Sequence, residues 1–280
     1  MAAPTARAKL SGMLNYLYLD YGGLARHRGE LKYSLISLKA EFDPLKARIV
    51  VASDAPQLYA DWPVLAIDIG ARLHEWSGGG LYRHRIKPAL VREALLRFDA
   101  PVLFLDCDSI IRPGFHAEVE AKMADSVVMN RFEKYDPYPP LKGFRTALPH
   151  LGAYRYDPAH SWMFNSGLVG MHPGHRPFLD DALAMIDALI GRAKKFPAIE
   201  QFALSEVLRL AHANVSEIHE TFEHYWQGRR RIYMANRIAK SLKPEWNDLS
   251  PPKEWARPNY WAVRAYNCYY SACHALDWLK

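Results

Sequence analysis

The chain has 280 residues, 50% of them hydrophobic and 24% charged, with 36 Lys+Arg against 30 Asp+Glu and three cysteines. That composition excludes disorder, collagen-like repeats and a disulfide scaffold, and the length suits one large α/β core or two modest ones. Cys107, Cys268 and Cys273 cannot form a framework, so they read as packing residues in a reducing compartment.

The first residues are basic, but no apolar stretch follows them of the kind a signal peptide needs, and no run approaches the roughly 18 apolar residues of a membrane span. A cytoplasmic protein is expected. Strand-like apolar runs occur at 14–19, 47–52, 101–105, 126–129, 168–171 and 215–218. Between them lie helical patterns. Leu31, Leu35 and Leu38 share one face of 30–40, and Leu90, Ala94 and Phe98 share one face of 87–98. Residues 176–193 and 202–211 repeat in the same way. Strands alternating with helices predict an α/β domain with a mainly parallel sheet covered on both faces.

Two stretches break this pattern. Residues 130–162 are rich in proline and aromatic side chains without helix or strand periodicity, and so read as a functional loop or lid. Beyond Lys243 the chain turns to Pro, Trp and Tyr, which divides it into a domain at 1–243 and a peripheral extension at 244–280. Charge divides it too. Residues 229–280 hold 10 Lys+Arg against 4 Asp+Glu, together with Trp246, Trp255, Trp261 and Trp278, while the residues before them are balanced.

The strongest chemical signal is the apolar strand that ends in Asp106-Cys107-Asp108-Ser109. Two carboxylates separated by one residue at the carboxyl edge of a parallel sheet stand where open α/β folds bind ligands, and hard oxygen donors of this kind can hold Mg²⁺ or Mn²⁺. The same motif also resembles the first motif of haloacid-dehalogenase-type phosphatases, with Asp106 as nucleophile and Asp108 as acid/base. That motif normally opens its domain, and here about a hundred residues precede it. No later apolar strand ends in Gly-Asp, and Asp180-Asp181 falls in a helical pattern.

Further segments follow in a recognisable order: the helix before the strand, Phe164-Asn165-Ser166-Gly167-Leu168-Val169, and His224-Tyr225-Trp226-Gln227-Gly228. From about residue 14 to 232 the chain resembles the GT-A nucleotide-sugar glycosyltransferases, and most closely the retaining group that includes glycogenin and the bacterial lipooligosaccharide α-galactosyltransferases. The resemblance implies a Rossmann-like GT-A fold and a metal-dependent hexosyltransferase using a nucleoside diphosphate sugar, with UDP favoured. Asp106 and Asp108 look like the family's DxD pair, the second ligating the metal and the first bridging metal and ribose. His224 looks like the late histidine that completes the site. Gly228 and Arg230 or Arg231 stand in place of the family's glycine and lysine near the diphosphate, but the glycine comes one residue late, so His219 remains a rival ligand. Lys87 looks like the basic residue facing the donor phosphates, with Arg83 and Arg85 as adjacent candidates. Asp20 and Tyr21 look like the pair that holds the nucleotide base. Asn165 and Gly167 would approach the sugar, and Glu200 and Gln201 look like the acidic-Gln pair beside the anomeric carbon.

The resemblance also implies a saccharide or lipid-linked glycan as acceptor, with 130–162 as the acceptor loop. Tyr135, Tyr138, Tyr154, Tyr156 and Trp162 suit stacking on a sugar ring. Retention is favoured because Glu200 is the one carboxylate nominated as a base. The basic aromatic segment 229–280 suits an anionic membrane surface, which would make the protein peripheral on the inner face of the membrane. A non-enzymatic binding protein using that segment is the third reading. No nucleic-acid motif is present, and no nucleic-acid partner is expected.

Overall fold

The computed structural model describes residues 12–135, 141–190, 198–226 and 228–241. The chain begins β1 (Leu14–Asp20), α1 (Ala25–Lys39), β2 (Ala47–Ser53), β3 (Leu65–Asp68), a short α2 (Leu73–Trp76) and α3 (Ile86–Phe98). It continues through β4 (Val102–Leu105), β5 (Ser109–Ile111), α4 (Phe115–Met123), β6 (Val127–Met129), β7 (Phe132–Tyr135), β8 (Arg145–Leu148), β9 (Gly152–Arg155), β10 (Trp162–Phe164) and β11 (Leu168–Met171). It closes with α5 (Arg176–Ile190), α6 (Ile199–Leu210), β12 (Val215–Glu217), β13 (Phe222–His224) and α7 (Gly228–Ser241).

Seven strands form one sheet in the order β12-β6-β11-β4-β1-β2-β3. The expectation of a mainly parallel sheet with flanking helices is borne out, with one strand reversed: β11 runs antiparallel to both β4 and β6. Side chains alternate across a strand, and here both faces are apolar. Leu17, Val50, Phe104, Met129 and Val169 point to one face, where α3, α5 and α6 cover them with Leu90, Leu179 and Phe202. Tyr16, Tyr18, Ile49, Leu103 and Leu168 point to the other, under Leu31 and Leu35 of α1 and Phe115 and Val119 of α4. Burial on both sides is why these strands read as continuous apolar runs rather than as alternating ones.

All six strands expected from the sequence lie in this sheet, with ends shifted by a residue or so. The seventh, β3, was not expected: it has four residues at the sheet edge, and only its Ile67 is buried, so it leaves little apolar signal. Helix α1 starts five residues earlier than its apolar repeat suggests, because its first turns, Ala25 to Gly29, are partly exposed and need no apolar face.

Residues 130–162 contain more regular structure than expected. β7 pairs antiparallel with β10, and β8 pairs antiparallel with β9. Tyr154 and Tyr156 are core residues, only 2% and 3% exposed, which corrects the expectation that they stack on a sugar. The Tyr154 hydroxyl donates to Glu206 Oε2 at 2.7 Å, Ser161 donates to Oε1 at 2.7 Å, and Arg209 closes the cluster, pinning this segment to α6. Tyr138 and the extension 244–280 lie outside the described residues.

The beginning of the basic segment belongs to the body. Met234 and Ile238 of α7 pack with Tyr33, Ile110 and Tyr225 in a small cluster of their own. Arg230 is paired with Glu223, and Arg231 with Glu30. Among the described residues no helix is long and apolar enough to cross a membrane.

Candidate active site

The carboxyl end of β4 delivers Asp106 and Asp108, and Asp106 N–H donates to Gly167 O at 2.8 Å, so the Asp-x-Asp turn and the Asn165-Ser166-Gly167 turn before β11 are joined. His224 arrives on β13, whose pairing with β5 sets His224 opposite Ser109. Its Nε2 stands 3.3 Å from Asp108 Oδ1 and 3.5 Å from Asp106 Oδ2. Ligand atoms of Asp106, Asp108 and His224 all lie within 4.8 Å of one another.

Whether this group suits a divalent ion is decided by the histidine tautomer. Asn165 Oδ1 is fixed as an acceptor, because it receives Asn130 Nδ2 at 3.0 Å and Gly167 N–H at 2.9 Å. His224 Nδ1 lies 2.9 Å from that same oxygen and must therefore donate to it. The nitrogen turned to the two carboxylates is then Nε2, and in a neutral ring its lone pair is available to a metal held between them, with the Nδ1 hydrogen bond behind it. Two carboxylate oxygens and one imidazole nitrogen are a donor set that Mn²⁺ and Mg²⁺ accept.

Cations inside the protein balance the same carboxylates. Lys87 Nζ donates to Asp106 Oδ2 at 3.0 Å and to Ser166 O at 3.0 Å. Burial works against the Lys87 charge, but Asp106, then Glu200 and Asp108, hold its pKa above the ordinary lysine value. Arg231 Nη1 lies 3.2 Å from Asp108 Oδ2. Burial also opposes ionisation of Asp108, yet His224 and Arg231 hold its carboxyl below the usual carboxylate range.

This cluster faces a cavity of about 1080 Å³. Among the residues nominated from the sequence, the cavity wall gathers Tyr21, Lys87, Asp106, Asp108, Asn165, Gly167, Glu200, Gln201, His224 and Arg231, and also Arg83. Five nominees stand elsewhere, Arg230 among them, paired with Glu223. Arg85 turns to Asp187, with contacts of 2.6 and 2.9 Å, and leaves the wall to Arg83. Asp20 is buried and accepts from the Tyr59 hydroxyl, and burial pushes its pKa up. Gly228 opens α7 outside the cavity wall, and no described residue of the chain lies within 4 Å of where a side chain would be. His219 is half exposed beside Glu217 at 3.9 Å. Asp180 and Asp181, weighed for a phosphatase, lie on α5 and are engaged by Arg92 and by the His150 N–H.

Other wall residues went unnoticed in the sequence. Glu133 accepts Asn165 Nδ2 at 2.8 Å on one oxygen and Gln201 Nε2 at 2.6 Å on the other. From behind the wall, Tyr82 donates to Glu200 Oε2, and Ser166 Oγ lies 3.4 Å from Glu200 Oε1. Trp226, 43% exposed, stands on the rim two residues past His224. Trp226 sat in plain view inside the HYWQG stretch; Glu133 and Tyr82 belong to no motif.

The placement of the two histidines makes a measurable difference. His224→Ala should raise the Mn²⁺ concentration for half-maximal thermal stabilisation by about 10-fold or more, and His219→Ala should leave it at the parental value. The reverse ranking would move the third ligand to His219.

No family model matches the sequence, and no curated protein matches it. Similar solved structures include an active-site mutant of LgtC, at 14% identity over 72% of each chain and a TM-score of 0.45. Mouse xyloside xylosyltransferase 1 in its apo form is 13% identical over 74% of this chain and 84% of that one, with a TM-score of 0.47. The apo form of the glycosyltransferase GlyE of Streptococcus pneumoniae is 14% identical over 73% of this chain and 45% of that one, with a TM-score of 0.44.

Proposed function

We propose that the chain is a metal-dependent glycosyltransferase that moves a sugar from a nucleoside diphosphate sugar, of which a UDP-sugar is the favoured case, to a saccharide or lipid-linked glycan acceptor. The observation that carries this is the Asp106, Asp108 and His224 group, with ligand atoms within 4.8 Å of one another, at the end of β4 and facing a large cavity also lined by Lys87, Arg83 and Arg231. A divalent cation held by those three residues would offset the negative charge that develops on the diphosphate as its bond to the sugar breaks. Lys87 and Arg231, already turned to the two carboxylates, are the fixed cations of the chain itself on that side of the cavity. Arg83 adds a third positive group to the wall.

Retention of configuration is part of the proposal, and the hydrogen bonds of the carboxylates favour it. An inverting reaction needs a carboxylate free to take the acceptor proton. Glu200 accepts from Tyr82 and Ser166, and Glu133 accepts from Asn165 and Gln201, so each oxygen of these two cavity carboxylates already accepts a hydrogen bond, which weakens it as a base. The resemblance to retaining members implies the alternative, in which the leaving phosphate would take the proton on the face it departs from. Glu200 and Gln201 then serve to shape the wall near the reacting carbon. Attachment to an anionic membrane surface through 229–280 is also part of the proposal; within that segment Arg230 and Arg231 are paired with Glu223 and Glu30 of the body.

A panel of UDP- and GDP-sugars incubated with the protein and Mn²⁺ tests the reading. Slow release of one nucleoside diphosphate, abolished by chelator, is the expected result. Inertness toward every sugar nucleotide combined with turnover of p-nitrophenyl phosphate would replace it with the phosphatase reading.

A further inference from the structure

Glu30 is completely buried on α1 and does not line the cavity. A buried carboxylate is strongly disfavoured unless it is paired and hydrogen-bonded. Its partner comes from α7, 201 residues further along the chain: Arg231 Nε donates to Oε1 at 3.0 Å and Nη2 donates to Oε2 at 2.6 Å. The same guanidinium presents Nη1 to Asp108 Oδ2 at 3.2 Å. One planar group thus ties α7 to the buried side of α1 with one edge and reaches a carboxylate of the Asp-x-Asp turn with its remaining nitrogen. A lysine in that place would offer a single point donor on a flexible stem and could not hold both contacts in a fixed plane. Arginine where the resemblance leads one to expect lysine is therefore matched by a buried glutamate behind it.

We infer, on the strength of the donor-site reading above, that Glu30 is a positioning residue for diphosphate binding: it never meets the substrate, but fixes the Arg231 guanidinium so that Nη1 faces Asp108 and the cavity. Without Glu30, Arg231 keeps its charge and loses its direction, and a cation free to turn toward water binds a phosphate less well than a fixed one. The contribution of Arg231 is then conditional on Glu30, so the two act as one unit.

The test is calorimetric titration of UDP and GDP, and of the matching nucleosides uridine and guanosine, into the full-length protein in Mn²⁺. If the parent binds neither diphosphate, the donor reading fails and this inference falls with it. Given binding, Glu30→Gln should weaken the diphosphate about tenfold and leave the nucleoside unchanged, Arg231→Gln should do the same, and the double variant should be no weaker than either single one. A Glu30→Gln protein that melts at the parental temperature and binds the diphosphate with parental affinity would overturn the inference. Additive losses in the double variant, or an equal loss for the nucleoside, would overturn it too. Should Glu30→Gln fail to fold, Glu30→Asp, which keeps the charge one methylene short of Arg231, takes its place under the same criteria.

Discussion

Asp108→Asn should yield a folded protein whose metal-dependent turnover of a nucleotide sugar is lower by about 10³-fold. The fold should survive for local reasons. Asparagine has the shape of aspartate, the Asp108 backbone carbonyl still receives the Tyr225 N–H at 3.0 Å, and Arg231 stays anchored on Glu30. What disappears is charge. Asp108 is the carboxylate that both His224 and Arg231 approach, within 3.3 and 3.2 Å, so its loss removes one of the three proposed metal ligands and leaves the arginine without its second partner. Donor hydrolysis with Mn²⁺, read beside a thermal melt, separates loss of chemistry from loss of fold. Parental turnover in Asp108→Asn, or full activity of the parent in excess chelator, would rule out the metal role.

Gly167→Ala should be nearly as damaging, although Gly167 carries no functional group. A Cβ there would sit 2.1 Å from Nδ1 of His224 and 2.4 Å from its Cε1, far inside any tolerated contact. The backbone cannot yield easily, since Gly167 O receives the Asp106 N–H and Gly167 N–H donates to Asn165 Oδ1. The imidazole must therefore leave, giving up Asn165 and its place above the two carboxylates. Overpacking of this kind costs about 1–3 kcal/mol of stability, and loss of the third ligand should raise the Mn²⁺ requirement about 10- to 100-fold. The diagnostic is non-additivity: in a His224→Ala background the ring is gone, and Gly167→Ala should add little further loss of metal affinity. Parental Mn²⁺ affinity in the single variant would show that the ring and the glycine do not share this space.

Those two residues also mark how far the sequence could be read. Asp106 and Asp108 were legible because the strand before them is apolar on both faces and stops where they begin. The sheet was legible for the same reason, apart from β3, whose one buried residue is too little pattern to register. Glu30, Glu133 and Tyr82 were invisible, because each acts on a partner more than thirty residues away and none belongs to a run with a recognisable spacing. The aromatic residues of 130–162 misled for a related reason: a tyrosine meant for a sugar and a tyrosine meant for the core look alike until a buried acceptor such as Glu206 is found beneath the hydroxyl. Arg85 and Arg83 differ only in direction, and Asp187 on another helix decides which of them the cavity receives.

The reversed strand has a consequence for how such a chain can diverge. Because β11 runs against its neighbours, β6 points the same way as β4, and Val169 of β11 sits beside Met129 at the end of β6. The chain thus departs from the sheet after β6 and re-enters it through β11 at one and the same edge, the edge that bears Asp106. Everything between is an excursion with both feet on neighbouring strands. Its length can change without any strand of the sheet changing partners, so long as the residues that tie it to the site and the core are kept, Asn130, Glu133, Tyr154, Ser161 and Asn165 to Gly167 among them. The strand order of the sheet and the length of the excursion are thereby set independently of one another.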